Sequence, residues 1–392
     1  MSLLRRSWSH RNIRLFKNGM LRSLFFIATN FLENIKFHNL NEKSQTTSNE
    51  SLRGKTFMRV EHDNIGLSTS EMSFLWQNYI GNTMLICVLQ HFLQNIQDQE
   101  IAGIVSQGVE LAKKHTEQSK ELFKKEGFPI PNGFGPEDVN LEAPRLFSDK
   151  FYSYYVQQVL RGTISNYSLA FSYSHRKDVR DYFKHCIHED TELFNKTMDV
   201  MLEKGLAYRP PGIPVPTQVD FVNNKEFLGE WFGDERPLSS TEIMSIYMNI
   251  ETNILGSALM TAFSQTAQEK KLRSYFQDGL QTATSHIEKF AKVLAKDSLS
   301  IPPVWNPEVS DSTVPAFSDK LMLYHGGLAT AAGIGNYGIA MASSQRRDLG
   351  LMYVKLTSEI GKYAEKGARL AIEHGWLEQP PMAIDRKELF KK

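Results

Sequence analysis

His115 and His286 are the residues of this chain best suited to chemistry inside a helical protein, and they occupy equivalent places in two related stretches of sequence. A pair of metal ions held within a helix bundle takes one Glu from each of two helices and a Glu-x-x-His from each of the other two. Six ligands must converge on two cations in a dry interior. Each histidine sits where the His of such a motif would, but three residues earlier stand Ala112 and Ala283, not Glu. Glu189 and Glu359 correspond to one another near the edge of a later helical seam. Asp190 lies on that seam, with Ile360 as its counterpart. Glu251 and His325 are further candidates, matched by Ile80 and Tyr155 in the other stretch. The dinuclear set is therefore broken in both. What remains is a mononuclear site for iron, manganese or zinc drawn from His115, His286, Glu189, Asp190, Glu251, His325 and Glu359. Against it stands the plainer reading of a hydrogen-bonded core histidine, the usual fate of a lone His on an apolar seam. No resident cofactor is expected.

Other clusters read as structure. His185, His188, Glu189 and Glu192 resemble a metal clamp, but their spacing puts them opposite Cys186 and Asp190, on a solvated charged face. Gly333-x-Gly335-x-x-Gly338 matches a dinucleotide-binding pattern, which has meaning only between a strand and a helix. Here it falls among Ala329, Ala331, Ala332, Ala340 and Ala342, inside a helix whose small residues allow close helix approach. Cys87 and Cys186 are seam residues that behave as small apolar groups. Ser174-x-Arg176-x-Asp178 and Ser344-x-Arg346-x-Asp348 read as polar turns, with an anion site as the functional alternative.

The elements that must position these residues come from a duplication. Leu67-Ser68-Thr69-Ser70-Glu71 recurs as Leu238-Ser239-Ser240-Thr241-Glu242 at an offset of 171, and His115 and Glu117 recur as His286 and Glu288 at the same offset. Phe147-Ser148-Asp149-Lys150 recurs as Phe317-Ser318-Asp319-Lys320 at an offset of 170, so one residue is lost in between, where a loop tolerates it. Asn166-Tyr167 matches Asn336-Tyr337, and Gly205 with Pro210-Pro211 matches Gly375 with Pro380-Pro381. The copies span 67–211 and 238–381, too long for a solenoid repeat.

Each copy predicts four helices. Met72, Leu75, Tyr79, Ile86 and Leu93 mark the first, capped from Ser68 to Ser70. Ile101, Val105, Gly108, Ala112, His115, Ser119 and Leu122 form a tight seam on the second, ended by Gly127 and Pro129. A Pro-, Gly-, Asn- and Asp-rich loop from Pro129 to Phe147 precedes a third helix, capped by Ser148 or Asp149 and running to about Tyr173. A fourth follows Asp178 with Val179, Phe183, Cys186, Asp190, Leu193 and Thr197 on its seam. Copy two repeats the plan at about 239–267, 269–296, 318–343 and 348–374. Short first and third connections make antiparallel hairpins, and the long middle one crosses the bundle. The fold class expected is all-α, two tandem ferritin-like antiparallel four-helix bundles with a long crossover between second and third helices. Residues 212–237 form a linker stiffened by prolines, with Phe227, Trp231 and Phe232 expected to pack on a bundle, and 382–392 form a charged tail.

Composition is consistent with this. Of 392 residues, 41% are hydrophobic and 23% charged, enough for a buried core. A formal net charge of +1 gives no field that would recruit nucleic acid. Two cysteines exclude a disulfide framework and fit a reducing, cytoplasmic setting. The longest clean apolar run, Met84 to Leu89, is far short of a membrane span. Residues 1–57 stand apart: Arg5, Arg6, Arg11, Arg14, Lys17 and Arg22 all precede the first acid, Glu33. This basic leader superficially resembles a transit peptide. Alternatively translation begins at Met58, and the leader takes no part in fold reasoning.

With the repeat established, the chain resembles a family of uncharacterised tandem ferritin-like proteins of spore-forming bacteria, some of them labelled spore-coat-like. The resemblance covers about residues 60–385. It rests on the string from Asp138-Val139-Asn140-Leu141-Glu142 to Ser148-Asp149, on Trp231-Phe232-Gly233-Asp234, on Phe317-Ser318-Asp319-Lys320, on Ala332-Gly333-Ile334-Gly335-Asn336-Tyr337-Gly338 and on Gly375-Trp376-Leu377-Glu378-Gln379-Pro380-Pro381. It implies a fold and a bacterial, spore-associated setting, and no catalytic residues. The function expected is that of a non-enzymatic structural or interaction protein. The alternative is a metal- or small-ligand-binding bundle. The contact surface expected is the small-residue helix 326–343, for self-association or an unknown protein partner.

Overall fold

Side-chain caps from Ser68, Asp98, Ser148, Ser239 and Ser318 set where five of the helices begin. A computed structural model describes residues 65–229 and 235–390; the basic leader and Trp231 to Asp234 lie outside them. Copy one contains α1 (Thr69–Asn95), α2 (Gln99–Lys125), α3 (Asp149–Tyr173) and α4 (Lys177–Glu203). Copy two contains α5 (Ser240–Thr266), α6 (Lys270–Lys296), α7 (Asp319–Ser343) and α8 (Arg347–Glu373), with a short α9 (Arg386–Leu389) in the tail. In each copy the first helix packs on the second and third, and the fourth on the second and third. The chain is therefore all-α, two tandem four-helix bundles, as the periodicity predicts.

The recurrent motifs are the joints of each bundle. Ser68 and Ser239 cap α1 and α5 in capping boxes with Glu71 and Glu242. The same glutamates reach across to the turn between the third and fourth helices. Glu71 Oε1 accepts from His175 and Arg176 N–H at 2.8 Å, and Glu242 Oε1 accepts from Gln345 and Arg346 N–H at 3.2 and 3.0 Å. Asp149 Oδ2 likewise accepts from Gln97 and Asp98 N–H (3.1 and 2.8 Å), and Asp319 from Gln268 and Glu269 N–H (both 2.9 Å). One carboxylate thus ties each hairpin turn to the start of another helix, satisfying N–H groups that have no helical partner. Gly205 and Gly375 end the fourth helices at φ +66° and +67°, the left-handed geometry a helix stop requires.

The two bundles do not merely follow one another. Their crossover loops exchange backbone pairings across a pseudo-two-fold axis. Antiparallel bridges join Val139 to Phe317 and Phe147 to Val309, and these pairs are exchanged by the 170-residue offset. Asn140 N–H donates to Ala316 C=O and Ser310 N–H to Leu146 C=O, both at 2.8 Å. Ser148 N–H donates to Glu308 C=O at 3.0 Å, and Ser318 N–H to Asp138 C=O at 2.9 Å. Ring contacts obey the same exchange: Phe134 meets Tyr324 at 5.1 Å and Trp305 meets Tyr154 at 5.0 Å. One apolar core consequently runs from copy one into copy two. Within the linker, Phe227 lies under the Arg236 guanidinium at 4.0 Å, while Val215, Val219 and Phe221 are exposed.

Candidate functional site

The seam histidines are held in two matching polar chains. His115 on α2 and His286 on α6 are fully buried, and each places Nε2 3.0 Å from a carboxylate on the fourth helix, Glu189 or Glu359. Because an ionised carboxylate only accepts, Nε2 carries the proton in the neutral imidazole. In copy two the other nitrogen is also engaged. Tyr337 O–H donates to His286 Nδ1 at 2.8 Å and accepts from Asn253 Nδ2 at 2.9 Å. In copy one Asn82 Nδ2 reaches Tyr167 O–H at 3.4 Å, and the Tyr167 ring meets His115 edge-on at 5.8 Å. Each carboxylate also takes a lysine ammonium: Lys114 on Glu189, and Lys289 on Glu359 at 2.7 Å.

Burial decides the charge state. It pushes both histidines below the ordinary imidazole range, and the glutamate partner only partly offsets this. Burial raises Glu189 and Glu359, but lysine and histidine donors more than compensate, so both carboxyls are held below their usual value. The arrangement at neutral pH is neutral imidazole, carboxylate and ammonium, with the ammonium at the solvent edge. In copy two such a chain fixes all four helices to one another and polarises a histidine.

The seven sequence candidates do not meet in one place. Two pairs form, His115 with Glu189 and His286 with Glu359. Asp190 is buried beside the first pair and accepts from Thr163 O–H; burial pushes its carboxyl up to about 7. Glu251 faces the other copy, where Arg161 binds it at 2.8 Å. His325 also faces the other copy: Tyr155 O–H lies 3.1 Å from its Nε2, and burial lowers it to about 4. Tyr155 and His325 are counterparts in the repeat, so they meet on the pseudo-two-fold axis. Among the described residues no three His, Cys, Asp or Glu side chains gather as a metal-holding group. The donor set does not fit the dinuclear centre of ferritin-like bundles: Ala112 and Ala283 replace the glutamates, and lysines stand against the carboxylates that remain.

The remaining motifs resolve as structure. Of the apparent clamp, His185, His188 and Glu192 are exposed while Glu189 turns in to His115. Arg176 is buried against Asp178 and Glu126, and Arg346 against Asp348 and Glu235, so neither turn offers a free guanidinium for an anion. The glycine pattern lies wholly within α7, where a Cβ on Gly333 would press on Ile360 at 3.1 Å. Burial lifts both thiols, Cys87 to about 12 and Cys186 higher. No helix among the described residues is long and apolar enough to cross a membrane. Lys114, Lys289 and the Asn82–Tyr167 and Asn253–Tyr337 pairs escaped sequence reasoning. The recurrence of both Asn and both Tyr at the repeat offsets was the signal that could have found them.

A further feature is the outward face of α7. Leu328, Ile339 and Met341 are 40%, 63% and 42% exposed, with exposed Gly327, Ala331, Ala332, Gly335 and Gly338 around them. From Leu321 to Gln345 the chain has no charged residue.

A search of curated proteins gave no match. Among solved structures the chain is similar to a protein of Bacillus halodurans C-125 that carries a spore-coat description, at 18% identity and a TM-score of 0.34, covering 41% of this chain and 99% of that one. Residues 57–219 and again 226–389 match the family described as "Protein of unknown function (DUF3231)", and the chain belongs to that family as a tandem pair of its domains.

Proposed function

We infer that this is a non-enzymatic structural or interaction protein that associates with a second copy of itself through the outward face of α7. The carrying observation is that face: the exposed residues of α7 from Gly327 to Ala342 are apolar, and the chain carries no charge from Leu321 to Gln345. Surface helices ordinarily carry charge on their wet side, and an exposed apolar patch marks a contact site. Glycine and alanine between the larger residues let a second helix approach closely. The polar chain at His286 supports the same reading, since both ring nitrogens are taken, by Tyr337 and Glu359, and fix helices to one another. The family resemblance makes the sporulating cell the setting in which to look. Light scattering across a concentration series tests the association. Wild type should assemble, and Ile339→Asp with Ala331→Arg should stay monomeric at unchanged melting temperature. A wild type that remains monomeric at sub-millimolar concentration would sink the proposal.

The second reading, a metal-binding bundle, is favoured by the 3.0 Å His–Glu pairs present in both copies. It predicts near-stoichiometric iron, manganese or zinc in protein purified without chelator, lost in His115→Ala/His286→Ala. Protein that stays metal-free after reconstitution with each ion excludes it.

A further inference from the structure

The fourth helix of each copy ends on a cation that binds the start of the second helix, and the two copies use different cations. In copy one, Lys204 Nζ meets Asp98 at 2.8 Å and Glu100 at 2.5 Å. In copy two the repeat counterpart is His374, whose Nε2 lies 2.6 Å from Glu269 Oε2 and whose Nδ1 lies 2.8 Å from the Leu370 carbonyl oxygen. Both ring nitrogens thus face groups that only accept. A neutral imidazole carries one N–H and can serve one of them; the imidazolium serves both. A helix C-terminus favours the same charge. The charged side chains around the ring agree: Glu269 at the N-cap of α6, and Glu373 on its own helix, which Lys271 meets at 3.5 Å. His374 is accordingly held above the ordinary imidazole range, first by the Leu370 carbonyl and then by Glu269.

His374 stands at the root of a strap. Gly375 turns the chain at φ +67°. Trp376 stacks on the His374 ring at 4.4 Å, and its N–H donates to Ala371 C=O at 2.8 Å. Two residues on, the Glu378 carboxylate takes two backbone donors of the copy-one crossover loop, Asn132 N–H at 2.9 Å and Gly133 N–H at 2.8 Å. The same loop is gripped from α7 by Lys320, which donates to Gly133 C=O at 2.8 Å. After α4 the matching segment sets Tyr208, the counterpart of Glu378, against Trp305 of the copy-two loop at 6.1 Å. The chain leaving each bundle therefore reaches the other bundle's crossover loop. One root carries a lysine, which stays charged across the range in which a histidine titrates. The other carries the histidine.

We propose that His374 is a pH-operated catch for the C-terminal strap: as the imidazolium it holds residues 375–381 on the copy-one loop, and as the neutral ring it lets the strap lift and frees the Asn132 and Gly133 N–H groups. Loss of one ring proton sets a lone pair against either Glu269 or the Leu370 carbonyl, forfeiting a hydrogen bond at the hinge. A ring that binds its proton more tightly in the closed state favours closure below about pH 6.5 and loses that support as pH rises through the folded value. The Lys204 joint is the internal control. This device is independent of association through α7.

The test is hydrogen exchange of the Asn132 and Gly133 amides in the full chain, read by NMR and expressed as protection relative to an unstructured peptide at the same pH. Protection should fall about tenfold between pH 5.5 and pH 8, the scale of one charge-assisted hydrogen bond. His374→Lys, which installs the cation copy one uses, should keep the higher protection at both pH values. His374→Gln, uncharged throughout, should show the lower protection at both. Titration of the His374 ring in wild type needs no variant and should give a midpoint above the ordinary value of about 6.5. A midpoint at or below that value, equal wild-type protection at both pH values, or a fall that survives in His374→Lys would each overturn the proposal.

Discussion

At the residue scale, burial acts with opposite sign on the two histidines and on Asp190, and pH separates them. His115 and His286 are held below the ordinary imidazole range, chiefly by desolvation. The unfolded chain binds their protons first, so their contribution is present above about pH 6.5 and is lost as pH falls. Asp190 has the reverse sign. Its folded carboxyl titrates near 7, against an ordinary value of 3.8, so the native state holds the extra proton between these values. Stability falls as pH rises through that window. Asp190→Asn should therefore match wild type near pH 4 and exceed it by on the order of 2–4 kcal/mol above pH 7. Urea melts at pH 4 and pH 8 check this, and an equal difference at both would contradict it. The seam positions of His115, Asp190 and the two glutamates were legible because a helical seam fixes which residues share an interior. The lysines were not. Lys114 precedes its histidine and Lys289 follows its own, so the same ion pair is reached from two non-equivalent positions. Long flexible side chains leave no periodic trace of their choice.

At the element scale, boundaries were legible wherever a cap is written in side chains. Ser68, Ser148, Ser239 and Ser318 each accept from the N–H three residues on, and each was read as a helix start or its neighbour. The carboxylates that tie turns to distant helix starts were seen only as recurrence, since no local pattern says which turn Asp149 or Glu242 will meet. One helix end stands out. Gly127 follows α2 at φ +61°, and its counterpart after α6 is Ser298, held at φ +58°. A Cβ in the left-handed region crowds the following carbonyl, at a cost of roughly 1–2 kcal/mol. Ser298→Gly should therefore raise stability by about 1 kcal/mol, visible as a higher denaturation midpoint with unchanged slope. The reverse change, Gly127→Ser, should lower it by a similar amount. A Ser298→Gly variant no more stable than wild type would mean the Ser298 turn is unstrained.

At the scale of the whole molecule, the duplication has joined in one chain what two identical domains would form as a two-fold dimer. No sequence pattern announced this: the pairing segments around Val139, Phe147, Val309 and Phe317 are single bridges within irregular loops, too short for any strand period. Fusion does more than link the halves. On the axis of a symmetric dimer a residue meets its own copy, so copy two alone would face His325 with His325. The single chain instead sets Tyr155 against His325, hydroxyl to imidazole. Off the axis, Arg161 binds Glu251, whereas the repeat counterparts of these two residues are Ala331 and Ile80, which cannot form an ion pair. Both polar contacts exist only between unlike copies. The halves 65–219 and 235–390, expressed separately, should each self-associate through the reciprocal loop bonds, which either copy can supply to itself. Mixed, they should exchange into the unlike pair, because it alone gains the Tyr–His hydrogen bond and the half-buried Arg–Glu pair, together worth about 1–2.5 kcal/mol. Native mass spectrometry of the mixture should show the heterodimer in excess over the statistical proportion. Arg161→Ala with Tyr155→Phe in the first half should return the mixture to statistics without unfolding either half. A statistical mixture from the wild-type halves would mean the asymmetry of the axis carries no preference and the fused chain is held together by its loops and apolar core alone.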